Sequence, residues 1–254
     1  MQKSKEILED LYSKKRLTTY EIAEIYDVDR RTINRWFEKF NITVKNNKRK
    51  FELIKATPFE KRQRELIVGT LLGDGCIAKH GKDYRLVCGQ CEKQKDFLFW
   101  KKSELGNFVN KVNKRIDKRG NSTMFTFNTV THNGLKKFYE LFYENNKKVV
   151  RPEMANYLTP FGIAVWIMDD GSLNKNVNMR LATDGFSYDD NFVLQGIFKT
   201  YDINVKICEY MRRNKTYYYL SFNKRNSILL TQLISPYVID SMKYKLVAPQ
   251  RLNA

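Results

Sequence analysis

Two stretches of this chain end in the same way. Leu72-Gly73-Asp74-Gly75 and Met168-Asp169-Asp170-Gly171 each close an apolar segment of helical length with an acid and a glycine. A helix C-terminus carries about half a negative charge, so an aspartate there is opposed by its own helix dipole. The same disfavoured arrangement recurring at a period of roughly a hundred residues points to a duplicated unit. The glycine after each acid suits a left-handed C-cap. Gly69 and Gly73, one helical turn apart, leave a strip along which a second helix can approach closely. If the two segments pack side by side, two carboxylates and two negative dipole ends converge. A divalent cation relieves that repulsion, and hard oxygen ligands suit Mg²⁺, or another such ion as Mn²⁺.

The surroundings of the two acids repeat as well. Residues 58–74 read as a helix, followed by a strand, a turn at His80-Gly81-Lys82 and a strand over 85–91. A helix over 97–112, a strand pair broken near Arg119-Gly120-Asn121 and a helix over 134–143 complete the half. From Thr159-Pro160 the order recurs: a helix to Asp170, strands over 176–183, a helix over 190–200, a hairpin at Arg213-Asn214-Lys215 and a helix over 227–235. Each half reads αββαββα. Asn176, Asn178 and Arg180 alternate with Val177, Met179 and Leu181, and Tyr217, Tyr219 and Ser221 alternate with Tyr218, Leu220 and Phe222. One sheet face therefore packs on helices, and the other carries hydrogen-bonding and cationic groups with few carboxylates.

Residues 1–44 form a separate helical module. Thr18 and Glu21 have capping-box spacing, and Ile22, Ala23 and Ile25 supply the apolar face of a short helix. Asp29 then caps a second helix in which Ile33, Trp36 and Phe37 face inward, leaving Arg30, Arg31, Thr32, Asn34 and Arg35 outside. This is similar to a helix-turn-helix, whose second helix enters the major groove. Lys45-Asn46-Asn47-Lys48-Arg49-Lys50 has nothing apolar and reads as the start of a basic linker over 45–57.

Charge narrows the partner. With 46 Lys and Arg against 28 Asp and Glu, the net charge is +18, spread along the chain as a long polyanion would require. Cys88 and Cys91 form a CxxC, but no second pair completes a zinc site. On a strand these two point to opposite faces, so they read as buried or half-buried strand cysteines. No apolar run is long enough for a membrane span, and the N-terminus lacks a signal-peptide pattern. The expectation is a soluble, intracellular, cytoplasmic protein.

Ile67-Val68-Gly69-Thr70-Leu71-Leu72-Gly73-Asp74-Gly75 and Ile163-Ala164-Val165-Trp166-Ile167-Met168-Asp169-Asp170-Gly171 resemble the paired motifs of the single-chain LAGLIDADG homing endonucleases. The resemblance, supported by Tyr157-Leu158-Thr159-Pro160, covers roughly residues 58–247. It implies an α+β fold: two pseudo-symmetric αββαββα subdomains, 58–157 and 158–254, whose sheets form a saddle over DNA. The all-α helix-turn-helix would precede them. It also implies that Asp74 and Asp170, with Gly73 and Asp169 beside them, hold the metal. Lys148 and Lys245 are implied as the lysines near each active site, with Lys147 a substitute for Lys148. Gln90 is implied as a polar group holding water, with Asp184 near the corresponding place in the second half.

On the saddle, the implied DNA contacts are Arg85, Lys118, Arg119, Thr126 and Asn128 from the first half. The second half supplies Asn176, Asn178, Arg180, Lys206, Arg212, Arg213, Tyr217, Tyr219 and Ser221. The function implied is a monomeric, Mg²⁺-dependent double-strand DNA endonuclease with a long, asymmetric target. The alternatives are a catalytically silent DNA-binding regulator, against which both acids argue, and an RNA maturase assisting intron splicing.

Overall fold

The computed structural model of the chain describes residues 4–15, 17–43, 48–117, 122–174 and 177–248. The chain divides into two units, Met1–Phe51 and Glu52–Ala254.

The first unit begins with α1 (Lys5–Glu9), which runs on through a wider π-helical turn, Asp10–Lys14. α2 (Thr19–Tyr26) starts at the expected capping box: Thr18 Oγ1 accepts from the Glu21 amide and the Glu21 carboxylate accepts from the Thr18 amide. Asp27 turns left-handed, and Asp29 caps α3 (Arg30–Lys39) by accepting from the Arg31 amide. Leu8, Ile22, Ile33 and Phe37 are fully buried, and half-buried Trp36 meets Tyr26 edge-on. Ile25, expected on the apolar face, is instead exposed, because the α2 core stripe runs through Ile22 and Ala23.

The expected linker contains a helix, α4 (Lys48–Ala56), while residues 45–47 lie outside the described residues. Ile54 packs on the core of the second unit and Lys55 pairs with Asp83 at 3.0 Å, so tertiary contact favours helix where the charge run suggested a linker.

The second unit holds the repeat. Its first half comprises α5 (Lys61–Leu72), β1 (Cys76–His80), β2 (Asp83–Cys91), α6 (Lys95–Leu105), β3 (Val109–Asp117), β4 (Ser122–Thr129) and α7 (Gly134–Phe142). A two-residue-per-strand hairpin follows, β5 (Tyr143–Glu144) and β6 (Lys147–Lys148). The second half comprises α8 (Pro160–Asp170), β7 (Gly171–Asn174), β8 (Asn178–Ala182), α9 (Tyr188–Lys199), β9 (Lys206–Arg212), β10 (Lys215–Ser221) and α10 (Lys224–Ile234). Both four-stranded sheets are antiparallel with the same order, β1-β2-β4-β3 and β7-β8-β10-β9. α6 ends earlier than the expected residue 112, because Gly106 turns the chain at φ +54° and frees Val109 to begin a strand.

α5 packs against α8, and both are buried nearly all round. A Cβ on Gly69 would overlap the Gly162 carbonyl, which is why that strip must be bare. Gly75 and Gly171 are not left-handed, contrary to the expectation for a C-cap. They are glycines because a Cβ would strike the Thr70 side chain and the Ile167 carbonyl, respectively. Leu86, Cys88 and Phe127 in one sheet, and Met179, Leu181 and Leu220 in the other, form the helix-facing layer. Among the described residues no helix is long and apolar enough to cross a membrane.

Candidate active site

α5 and α8 deliver their acids to one cleft of about 270 Å³, lined by Asp74, Asp170, Lys148, Gly73 and the 182–186 turn that carries Asp184. Asp74 is exposed and Asp170 half-buried. Burial, reinforced by the Asp169 and Asp74 charges, pushes the Asp170 carboxyl up to about 7. The Asp74 charge is thus close enough to oppose the ionisation of Asp170.

A lysine meets each helix end. Lys148, presented by the β5–β6 hairpin whose turn residues Asn145 and Asn146 are both left-handed, donates through Nζ to Leu71 O, Gly73 O and Gly75 O at 2.6, 3.1 and 2.7 Å. Lys245, from the 3-10 segment Asp240–Lys245, donates to Met168 O and Asp169 O at 2.5 and 2.6 Å. These carbonyls have no intrahelical donors, so the ammonium groups satisfy them and offset the negative dipole end beside each acid. Burial holds both lysines below the usual lysine range, while the carboxylates pull the other way. Lys147 is exposed, so Lys148 rather than its neighbour occupies the cleft.

Gln90 is buried and donates through Nε2 to Asp74 Oδ2 at 3.0 Å and to Asp169 Oδ1 at 2.7 Å. Asp169 does not offer its carboxylate to the cleft: both oxygens accept from Lys101 Nζ, at 2.8 and 2.7 Å, with both side chains buried. Burial pushes the Asp169 carboxyl up to about 6 against the pull of the Lys101 ammonium. Lys101 is absent from the sequence reading. The available signal was its position on the α6 face that also carries Phe97, Leu98 and Leu105, where a lysine must find a partner.

Strand register moves the second-half counterpart of Gln90. Cys76 pairs with Val87 and Ser172 with Arg180, so Gln90 corresponds to Thr183 and not to Asp184. Thr183 is buried and donates to Asn191 Oδ1. Asp184 lies one residue on, in the cleft wall, 3.8 Å from Arg180.

The outer face of the second sheet is as the alternation suggested. Arg85, Thr126 and Asn128 lie on the first sheet's face away from the helices. Asn178, Arg180, Lys206, Arg212, Tyr217, Tyr219 and Ser221 share the equivalent face of the second, with Arg213 in the left-handed β9–β10 turn. The Arg180 guanidinium sits 3.8 Å above the Tyr219 ring. Lys118, Arg119 and Asn176 lie outside the described residues. In the first unit Arg31 and Arg35 are exposed, and Thr32 and Asn34 half-buried. Arg30 is braced on α2 by Thr19 and by the Tyr20 ring. Cys88 is buried and Cys91 exposed, on opposite strand faces, so Cys91 is not the half-buried residue expected.

Residues 64–230 match the family described as the LAGLIDADG DNA endonuclease family. The cytochrome b mRNA maturase bI2 of Saccharomyces cerevisiae is 32% identical over 206 residues, covering 74% of this chain and 48% of that protein. The chain therefore spans about half the length of that relative. The DNA endonuclease I-ChuI of Chlamydomonas applanata is 28% identical over 205 residues, covering 73% of this chain and 94% of that one. Among solved structures, the homing endonuclease I-WcaI bound to its DNA recognition sequence aligns with a TM-score of 0.68 at 26% identity. That alignment covers 81% of this chain and 95% of the other.

Proposed function

The chain belongs to the LAGLIDADG DNA endonuclease family, and on that premise we propose that it is a monomeric endonuclease cutting both strands of a long, asymmetric duplex DNA site. The observation that carries this reading is the convergence of one acid from each half, Asp74 and Asp170, in a single cleft. A binder that had lost catalysis would have no need to keep two carboxylates against two helix dipoles.

The cleft fits a hard divalent cation such as Mg²⁺ or Mn²⁺. Asp170, raised by burial and by neighbouring acids, is an acid short of countercharge. Among the described residues no three His, Cys, Asp or Glu side chains form a complete cage. Asp74 and Asp170, both lining the cleft, are the residues that would hold the ion. When bound, the ion supplies Lewis-acid activation of water and stabilisation of the leaving 3′ oxygen. Lys148 and Lys245, fixed by helix-end carbonyls, bring a positive charge to each acid and steady the charge that develops on the scissile phosphate.

The two sheet faces differ: Arg85, Thr126 and Asn128 against Arg180, Tyr217 and Tyr219. A duplex lying across both would be read asymmetrically. The net charge of +18 supplies the sequence-independent attraction. A second reading, RNA maturation, is favoured by the name of the yeast relative. Plasmid bearing a site selected from randomised DNA, incubated with Mg²⁺ or with EDTA, tests the first reading. Linear product only with Mg²⁺ supports it, and intact plasmid in both overturns it.

A further inference from the structure

The two acids are built into unequal surroundings. Asp74 accepts from Gln90, Gln90 also donates to Asp169, and Asp169 is held by both oxygens on Lys101. Three of these residues belong to the first half, and the fourth, Asp169, reaches across from the second motif helix. Among the described residues, the matching places in the other direction carry none of this chain of contacts. Gln90 corresponds to Thr183, which turns to Asn191 and the Tyr218 carbonyl instead. Lys101, seventh residue of α6, corresponds to Leu194, seventh residue of α9, which is fully buried. Asp169 corresponds to Gly73, where a Cβ would overlap the Asp169 side chain itself. The bare backbone of one motif makes the room that the acid of the other fills.

Core stability does not account for this. A buried ion pair is weak evidence for stability, because desolvation offsets much of its attraction. Leu194 fills the equivalent position in the other half without any charge. What the charged version adds is direction. The Lys101 ammonium fixes both oxygens of Asp169, Asp169 fixes the Gln90 amide, and the amide sets the rotamer of Asp74, which is otherwise exposed. Among the described residues the Asp170 carboxylate has no such side-chain tie.

We propose that Lys101 is a positioning residue that acts through Asp169 and Gln90 to orient Asp74, a one-sided relay that makes the two acid sites, and so the cutting of the two DNA strands, inequivalent. The inference rests on the endonuclease reading and deepens it.

The test follows each strand separately, using end-labelled DNA carrying a site selected from randomised sequence, full-length chain and Mg²⁺, with DNA affinity measured in Ca²⁺. Lys101→Met should slow the cut in one strand about tenfold or more, with affinity and the other strand nearly unchanged, so that nicked DNA accumulates. Lys101→Met combined with Asp169→Asn removes both buried charges. It should recover most of that rate, because the new amide oxygen still accepts from Gln90. If Lys101→Met alone does not fold, Gln90→Met, with the ion pair intact, should give the same single-strand defect. Equal slowing of both strands, or of neither, overturns the relay. Wild-type chain that leaves the DNA uncut overturns instead the endonuclease reading on which the relay depends.

Discussion

Lys148 and Lys245 stand at matching ends of α5 and α8, each with its ammonium on the backbone carbonyls that the helix leaves without donors. The pairing explains how a chain places an acid at a helix C-terminus twice. Removing the lysine exposes the acid to the dipole and takes a cation from the site. Lys148→Met and Lys245→Met are each expected to slow cleavage about a hundredfold or more, the loss typical of one transition-state charge stabiliser. The buried Lys245 variant should also melt at lower temperature, because two buried carbonyls lose their donor. Single-turnover cleavage and thermal melting check both.

Asp74→Asn and Asp170→Asn should each abolish double-strand cutting while leaving DNA affinity in Ca²⁺ largely intact. Asp170→Asn should in addition raise the melting temperature of metal-free protein at neutral pH, since a carboxylate pressed by burial and two acidic neighbours is removed. The same variant should lose most of the melting-temperature rise that Mg²⁺ gives the wild type. Linear product from either variant at the wild-type rate would remove these acids from the chemistry.

His132 gives the fold a pH dependence of its own. Its ring is buried against Phe59 and Phe108, with Nε2 2.9 Å from Thr57 O and Nδ1 accepting from the Gly134 amide at 3.0 Å. This is the pattern of a neutral ring, and burial holds its pKa below the usual 6.5. Below about 6.5 the unfolded chain therefore binds a proton that the folded chain refuses. Stability from this residue is complete above that pH and is lost as the pH falls toward the depressed folded value. Melting curves between pH 8 and 5 should fall more steeply for wild type than for His132→Gln. Parallel curves would mean that the ring takes up its proton as readily in the fold as in the unfolded chain.

Arg180, stacked on Tyr219, should carry part of the sequence reading. Arg180→Ala is expected to weaken binding by ~1–3 kcal/mol and to blur base preference at one position of the site. Wild-type affinity should fall steeply with salt, each neutralised phosphate adding about −0.9 to the log–log slope. Uniform weakening across all target sequences would mark Arg180 as a phosphate contact.

The repeat, the paired acids and the alternating sheet faces were legible because each follows from local spacing: helix period, strand period and a disfavoured acid placed twice. Lys148 and Lys245 were legible only through the resemblance, since nothing local separates them from other lysines. Lys101 escaped because a lysine in a basic chain reads as surface unless its helix face is drawn out beside Phe97 and Leu105. That Thr183, the neighbour of Asp184, is the register counterpart of Gln90 was hidden for a different reason. A one-residue shift in strand register changes which side chain faces the helices, and register is set by pairing that the sequence does not display. The helix over Lys48–Ala56 was hidden because its support, Ile54 on the core and Lys55 on Asp83, comes from residues distant in sequence.

The first unit lies wholly outside the stretch that matches the family, so its role needs a separate test. α3 carries Arg30, Arg31, Asn34 and Arg35, a set suited to a DNA groove. Covalent attachment makes any second DNA contact effectively intramolecular, which raises affinity without altering the cleavage chemistry. A shortened chain beginning at Phe51 should therefore still cut, but require more protein or lower salt. Its footprint should be shorter on one flank only, because the helical module occurs once while the repeat is pseudo-symmetric. The shortened chain should also keep its melting temperature, since the first unit has its own core around Ile22, Ile33 and Phe37. Footprinting and a salt titration of the two chains side by side decide the matter: unchanged footprint and unchanged affinity would leave the first unit as a protein-interaction element.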